Sequence, residues 1–392
     1  MTSGATVMVS EKRSGAEARA LRVLHLSAGN LYGGVETMLM TMARLRHLCG
    51  DMEPCFAVCF EGRFSRELRD AGVTVHLLGA VRISRPWTVW RARRRLRELL
   101  YRENFGAVVC HMAWPLVVFG RTARKAGKKI VFWAHGFPTR QNWLERMAGR
   151  TVPDLAISNS RFTAGLMADL FPKAPEAVVY CPVALADAPE RAMWREAIRK
   201  EQGAGDDTTV ILQVSRMEAW KGHLLHLHAL AEIRKLDWVC WFAGGAQRPE
   251  EARYVEELRS TAERLGIGGR VRFLGQRSDI PKLLAAADIF CQPNRDPEPF
   301  GIVFIEALWA GCPVVTTAMG GALEIVDESC GVLVEAGNTA DLAQALAGLI
   351  EAPDKRARLG SGAPERARRL SDPATQIRAF RDSLAQVVRG EA

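Results

Sequence analysis

Short, continuously apolar runs alternate with helix-periodic stretches along most of the chain. In the first half the runs fall at 21–26 (LRVLHL), 55–60, 73–78, 107–110, 130–134 and 155–158. A glycine-containing turn follows the first run, and a helical pattern covers 35–48. Short apolar runs separated by helices predict parallel strands covered on both faces. The second half repeats the arrangement with VILQVS at 210–215, WVCWFAG at 238–244, VRFLG at 271–275, DIFCQP at 288–293 and CPVVTT at 312–317. The predicted fold class is therefore α/β: two facing Rossmann-like, doubly wound parallel-sheet domains with an interdomain cleft.

A chain of 392 residues exceeds the size at which one core stops growing. Prolines 182 and 189 and the acidic-glycine stretch 203–207 interrupt the pattern near its middle. The expected division is a loose tail at 1–20, a first domain at 21–185, a linker at 186–206, a second domain at 207–370 and a C-terminal helical segment at 371–392 that packs back on the first domain. Ligands of doubly wound sheets bind beyond the carboxyl ends of the strands, which makes the cleft the default active site.

Composition narrows the setting. Residues 1–20 lack an apolar core of signal-peptide length, and 299–323, although nearly uncharged, is broken by Gly301, Gly311, Pro313, Gly320 and Gly321. Neither secretion nor a membrane span is expected. The 9 cysteines form no paired CxxC spacing, and Cys55 and Cys59 are separated by three residues. They read as buried thiols of a cytoplasmic protein.

The net charge of +9 is uneven. Residues 1–185 hold 27 Lys and Arg against 14 Asp and Glu, whereas the rest holds 26 against 30. A basic first half suits an anionic acceptor or membrane surface. No nucleic-acid motif accompanies the charge, so nucleic acid is not an expected partner.

The chemistry concentrates in EPFGIVFIEALWAGCPVV, beginning at Glu298. Glu298 lies in a loop after a strand, and Glu306 lies eight positions on, inside a helix that starts near Gly301. The open amides of 300–303 form a helix N-terminus suited to phosphate. A lone pair of glutamates at this spacing is commonplace near helix starts; a glutamate within an apolar helix is costly without a partner. This segment resembles the E-x7-E signature of glycosyltransferase family 4, retaining enzymes of the GT-B architecture. The resemblance implies that Glu298 contacts the donor sugar and Glu306 the ribose hydroxyls. It also implies that Phe300, Gly301, Ile302 and Val303 bring backbone amides to the sugar and phosphates.

Other landmarks extend the resemblance over roughly 21–380. Arg216 and, five residues later, Lys221-Gly222 match the family's R-x4-K-G element. Two cations at a strand end can clamp a diphosphate and stabilise it as it leaves. Gly33-Gly34-Val35-Glu36 matches the glycine-rich loop, with Gly34 approaching the donor. His135 follows a buried strand, where a structural role is common; the family's histidine here reaches the donor sugar from the opposite domain. Ser158-Asn159-Ser160-Arg161 resembles a structural turn, and Gly320-Gly321 with Glu324 resembles G-G-x-x-E-I-V on the donor side. Gly244-Gly245 stands where the family has G-x-G, but Ala246 replaces the last glycine. Base recognition belongs to 271–280, where Gln276 and Arg277 leave the nucleobase open.

The implied catalytic set is Glu298, His135, Arg216 and Lys221, with a nucleotide diphosphate sugar as donor and no cofactor. No D-x-D element is present to hold a metal. His223, His226 and His228 crowd one helix, but no acid or cysteine completes a ligand set. A nucleotide-sugar epimerase is the nearest alternative, and the acceptor is a lipid-linked, glycan or soluble small molecule. A nicotinamide dehydrogenase would need a GxGxxG turn that no predicted strand precedes. Finally, 82–102 carries eight arginines with Trp87 and Trp90 beside an apolar stripe of Val89, Ala92, Leu96, Leu99 and Leu100. That pattern predicts a helix covering the first sheet whose basic face can meet an anionic membrane.

Overall fold

The computed structural model describes residues 20–30, 32–138, 142–184, 189–246 and 248–390. Two all-parallel sheets organise the chain. The first contains β1 (Leu21–Ser27), β2 (Met52–Val58), β3 (Val75–Leu77), β4 (Ala107–His111), β5 (Lys129–Ala134), β6 (Leu155–Ser158) and β7 (Glu176–Val178), in the order β3-β2-β1-β4-β5-β6-β7. The second contains β8 (Thr209–Val214), β9 (Trp238–Ala243), β10 (Val271–Gly275), β11 (Ile289–Gln292), β12 (Val314–Thr317) and β13 (Gly331–Val334), in the order β10-β9-β8-β11-β12-β13.

Strand order reverses between β1 and β4 and again between β8 and β11. At such a switch point the connections leave to opposite sides and open a crevice outside the carboxyl ends. The strands beside these crevices are buried on both faces, as their mainly apolar sequences require. One hydrophobic core runs through both domains, and each sheet carries a further cluster under its other helical layer.

Two strands were not anticipated. β7 is a three-residue edge strand with both end residues exposed, and β13 begins at a glycine. The early helical pattern resolves into Gly34–Arg44 and a separate tight turn at Arg46–Leu48. Residues 185–188, where the first domain was expected to end, and most of the expected tail lie outside the described residues.

Within the stretch read as a linker stands a 12-residue helix, Arg191–Gln202. Its Arg195 and Arg199 donate to Asp288 at 2.6 and 3.1 Å, tying it to the second sheet. The C-terminal helix Pro373–Arg389 crosses back to the first domain. There Phe380 stacks on Trp133 with ring centroids 4.7 Å apart, and Arg381 pairs with Asp51. Among the described residues no helix is long and apolar enough to cross a membrane, and all 9 cysteines are unpaired and buried.

Candidate active site

Both switch points open on one cleft of about 830 Å³. The loop after β8 carries Arg216 and Lys221 and turns on Gly222 in the left-handed region, φ +76°. A Cβ at Gly222 would lie 1.7 Å from the carbonyl oxygen of Pro293, so the loops after β8 and β11 touch backbone to backbone. Gln213 donates to the Lys221 carbonyl at 2.9 Å, and His226 Nδ1 lies 2.9 Å from Gln213 Oε1. His223 Nε2 is 3.0 Å from Ser215 Oγ. These two histidines therefore fasten the cationic loop; burial pushes both down to about 3, keeping them neutral. His228 is exposed on another face of the helix.

Lys221 Nζ contacts Glu298 Oε2 at 2.7 Å and sits 3.8 Å above the Trp220 ring. Asn294 Nδ2 donates to the same carboxylate oxygen at 3.0 Å and accepts in turn from Gln292 at 3.1 Å. Glu298 is thus a fixed acceptor at the cleft floor, with a cation and an amide already on one oxygen. Arg216 is held at 3.0 Å by Glu218 but remains nearly half exposed to the cleft.

Gly301, at φ +107°, admits the chain into helix Ile302–Trp309, which has no side-chain cap. Among the described residues the amides of Gly301, Ile302 and Val303 have no acceptor, so a helix N-terminus opens onto the cleft. Phe300, Gly301, Ile302 and Val303 all line it. Gly320 and Gly321 back this loop: the Gly321 amide donates to the Glu298 carbonyl at 2.7 Å, and a Cβ at Gly321 would lie 2.7 Å from Phe300 Cα.

Glu306, one turn into the helix, lines both the cleft and an adjoining cavity of about 170 Å³. Burial pushes its carboxyl up to about 7, because the charged form is poorly solvated. A carboxyl whose pKa is raised on folding favours the fold when protonated, and that contribution is lost as pH rises from the ordinary carboxylate range through about 7. Glu306→Gln is therefore expected to raise Tm at pH 8 and to leave it unchanged near pH 4, as differential scanning fluorimetry would show.

From the first domain, Gly34 faces this helix closely enough that a Cβ would meet Ile302 Cδ1 at 3.6 Å. His135, at the end of β5, also lines the cleft, with Nε2 2.9 Å from His111 Nδ1. The ten singled-out residues Gly34, His135, Arg216, Lys221, Glu298, Phe300, Gly301, Ile302, Val303 and Glu306 are therefore all brought together. Gln276, Arg277, Ile280 and Pro281 line one end of the cleft, but the Arg277 guanidinium is bound to Asp279 at 2.8 Å and Glu201 at 2.9 Å.

Thr163 and Tyr180 carry no sequence signal of their own, and Ser160 and Glu324 do more than the turn and packing their motifs imply. Ser160 and Thr163 donate to the Pro299 carbonyl at 2.6 and 3.2 Å, so the first domain grips the loop between Glu298 and Phe300. Glu324 reaches the other way, accepting from the amides of Arg161 and Phe162 at 3.0 and 2.8 Å and from the Tyr180 hydroxyl at 2.9 Å. A carboxylate from one domain caps a helix of the other, a charge-assisted joint beside the site. Such a joint, read in sequence as a structural turn and donor-side packing, couples the two.

The model of Glycosyltransferase Family 4 matches residues 32–187, and that of Glycosyl transferases group 1 matches 195–366. A GDP-mannose-dependent alpha-(1-6)-phosphatidylinositol monomannoside mannosyltransferase of Mycobacterium tuberculosis is 30% identical over 291 residues, covering 69% of this chain and 73% of that enzyme. A D-inositol 3-phosphate glycosyltransferase of Corynebacterium kroppenstedtii is 36% identical over 183 residues, covering 45% of this chain and 40% of that one. That match spans less than half of either chain. The structure of HepE of Anabaena in complex with UDP-glucose superimposes with a TM-score of 0.80 at 25% identity, covering 93% of this chain and 100% of that one. Two parallel sheets, a cleft floored by the E-x7-E segment, and a relative matched across most of both chains lead to one conclusion: the chain belongs to glycosyltransferase family 4 and is a glycosyltransferase of GT-B fold.

Proposed function

We propose that the chain is a retaining, metal-independent transferase that passes a sugar from a nucleoside diphosphate to an acceptor in polysaccharide, lipopolysaccharide or glycolipid assembly. The observation that carries this reading is the convergence of the Lys221–Glu298 pair, the open amides of 301–303 and Glu306 on one cleft. Glu298 and His135 meet the donor sugar, Arg216 and Lys221 flank the diphosphate, and Glu306 accepts from the ribose hydroxyls. The base extends toward Gln276 and Pro281. As the anomeric C–O bond breaks, charge develops on the departing phosphate, where fixed cations and amides stabilise it more than they stabilise the bound donor. A phosphate oxygen of the leaving group takes the acceptor hydroxyl's proton, and the new bond forms on the vacated face. Glu298, already committed to Lys221 and Asn294, is an ion-paired acceptor and not a free base.

The relatives named for phosphatidylinositol and inositol phosphate act on phosphate-bearing acceptors, a class that suits the basic first half of this chain. NMR of the product linkage tests the stereochemistry: the donor's anomeric configuration is expected in the product, and inversion would contradict it. Donor incubated alone should stay intact apart from slow hydrolysis; conversion to an epimer would favour the epimerase instead.

Helix Pro86–Arg102 supports peripheral docking of this cytoplasmic enzyme on an anionic membrane. Ala92, Leu96, Leu99 and Leu100 are buried against the sheet, while Trp87 and Trp90 are 59% and 64% exposed. The basic face is narrower than the count of arginines implies. Arg93 donates to the carbonyls of Val118 and Val117, and Arg95 to that of Leu78, leaving Arg82, Arg85, Arg91, Arg94, Arg97 and Arg102 outward, of which Arg94 and Arg102 pair with Glu98 and Glu103. Each cation near an anionic bilayer contributes about 1 kcal/mol. Sedimentation with phosphatidylglycerol vesicles at low salt is expected to pull down the protein, and replacing Arg91, Arg94 and Arg97 by Gln is expected to abolish this.

A further inference from the structure

His135 is the cleft end of a line of three imidazoles. His135 Nε2 lies 2.9 Å from His111 Nδ1, and His111 Nε2 lies 2.9 Å from His25 Nδ1. His25 and His111 come from β1 and β4, the two strands at the first domain's switch point. The line therefore runs from the cleft into the core. Aromatic rings wall it throughout: Phe56 stacks on His25 at 5.0 Å, and Trp133 stacks on His135 at 5.4 Å and lies 5.6 Å from His111. Phe380 of the C-terminal helix closes the inner end, 5.7 Å from His25. His25 Nε2 is buried there without a partner.

The rings are threaded in series, each facing nitrogen being used by its neighbour, and among the described residues no group converges to hold a metal. Burial pushes His25 and His135 down to about 3 and His111 well below the usual imidazole range, so all three are neutral. A neutral imidazole has one N–H and one bare nitrogen. Three in series must all donate in the same direction, because a reversed ring would set two N–H groups or two bare nitrogens against each other. The buried end decides the direction. Orphaned buried N–H groups are rarer than bare acceptors, so the bare nitrogen belongs at His25 Nε2. Every ring then carries its proton on Nδ1, and the last one, His135 Nδ1–H, is left to donate into the cleft.

We propose that His111 and His25 are positioning residues for sugar transfer, forming with His135 a one-way hydrogen-bond chain that fixes the orientation and tautomer in which His135 donates to a donor-sugar oxygen. This rests on the reading of His135 as a sugar contact. Neither inner histidine touches the cleft; each acts through the next ring. An inner partner that orients a reactive group is typically worth a factor of roughly 10 to 100.

The test combines spectroscopy with a mutant cycle on the full chain, using slow hydrolysis of UDP-glucose and GDP-mannose as the readout. Long-range nitrogen-15 correlation on histidine-labelled protein is expected to show the Nδ1–H tautomer alone at all three rings. Nε2–H tautomers, or a mixture at His135 in the native chain, would overturn the proposal. His111→Phe, which keeps the aromatic slot filled, is expected to mix the His135 tautomers and to lower kcat about tenfold with donor KM little changed. His111→Asn, whose amide can still donate toward His135, should recover part of that loss. The His135→Ala/His111→Phe double variant should be no slower than His135→Ala, since residues acting as one unit are not additive. Additive losses would overturn the proposal while leaving the His135 contact standing. Unchanged kinetics in His135→Ala itself would remove that contact and the proposal with it, whatever tautomer is seen.

Discussion

Replacing Lys221 by alanine is expected to lower kcat by on the order of 100-fold or more, comparable to losing one oxyanion donor. Lys221 is mostly buried, held over the Trp220 ring and against Glu298 at 2.7 Å, so its charge is fixed before any donor arrives. A fixed charge needs no reorganisation as the leaving phosphate gains charge, which is why its loss should appear in kcat. Removing it also leaves Glu298 with Asn294 as its remaining partner, an uncompensated carboxylate facing an anionic donor. Lys221→Ala/Glu298→Gln separates the two effects. If the lysine acts on the leaving group, the double variant is slower than Glu298→Gln alone; if it only neutralises Glu298, the two are equally active. A loss confined to donor KM would mean that the charge serves binding alone.

Gly222→Ala is expected to destabilise the fold by more than about 3 kcal/mol, combining left-handed strain with a backbone collision. At φ +76° an alanine alone costs roughly 1 to 2 kcal/mol. Here its Cβ would also sit 1.7 Å from the Pro293 carbonyl oxygen, and backbone cannot swing aside as a flexible side chain can. The loops after β8 and β11 would be forced apart, displacing Lys221 from Glu298. Gly127 is the control: it has φ +71° and nothing within 4 Å of its would-be Cβ. Gly127→Ala should show the strain alone. Denaturant unfolding of both variants measures the difference, and equal losses would mean that the contact with Pro293 yields easily.

The residues that carry this cleft are visible in the sequence because loops after parallel strands concentrate polar residues beside glycine. Glu306 stands out inside an apolar helix, whereas Glu298, Arg216 and Lys221 are picked out by their likeness to the family's E-x7-E and R-x4-K-G elements, and all four line the cleft. What the sequence hides are partners brought in from elsewhere in the chain. Asn294 on Glu298 and Thr163 on the Pro299 carbonyl look like ordinary polar residues in their own segments, and the motifs holding Ser160 and Glu324 imply a turn and packing but not the contacts these two make across the domain joint. Crowding along the chain also misleads in the other direction. His223 and His226 crowd one helix yet bond to Ser215 and Gln213 of a neighbouring strand and its loop, while His25, His111 and His135, far apart in sequence, form one line. The short edge strand β7 escaped notice because a half-solvated edge needs no apolar run. The arginine helix was anticipated with its buried stripe, but periodicity does not reveal that Arg93 and Arg95 are engaged by neighbouring carbonyls.

The central claim is that the cleft binds a nucleoside diphosphate sugar through Lys221, Glu298, Glu306 and the amides of 301–303 without a metal. Thermal shift with UDP, GDP, ADP and their sugars in the presence of EDTA tests it most directly. A ligand at 100 times its Kd stabilises the fold by about 2.7 kcal/mol, enough to move Tm measurably. One nucleotide series is expected to raise Tm in EDTA, with the shift reduced or lost in Glu306→Ala and Lys221→Ala. No shift with any donor, a shift that requires magnesium or manganese, or one that survives both substitutions would contradict it.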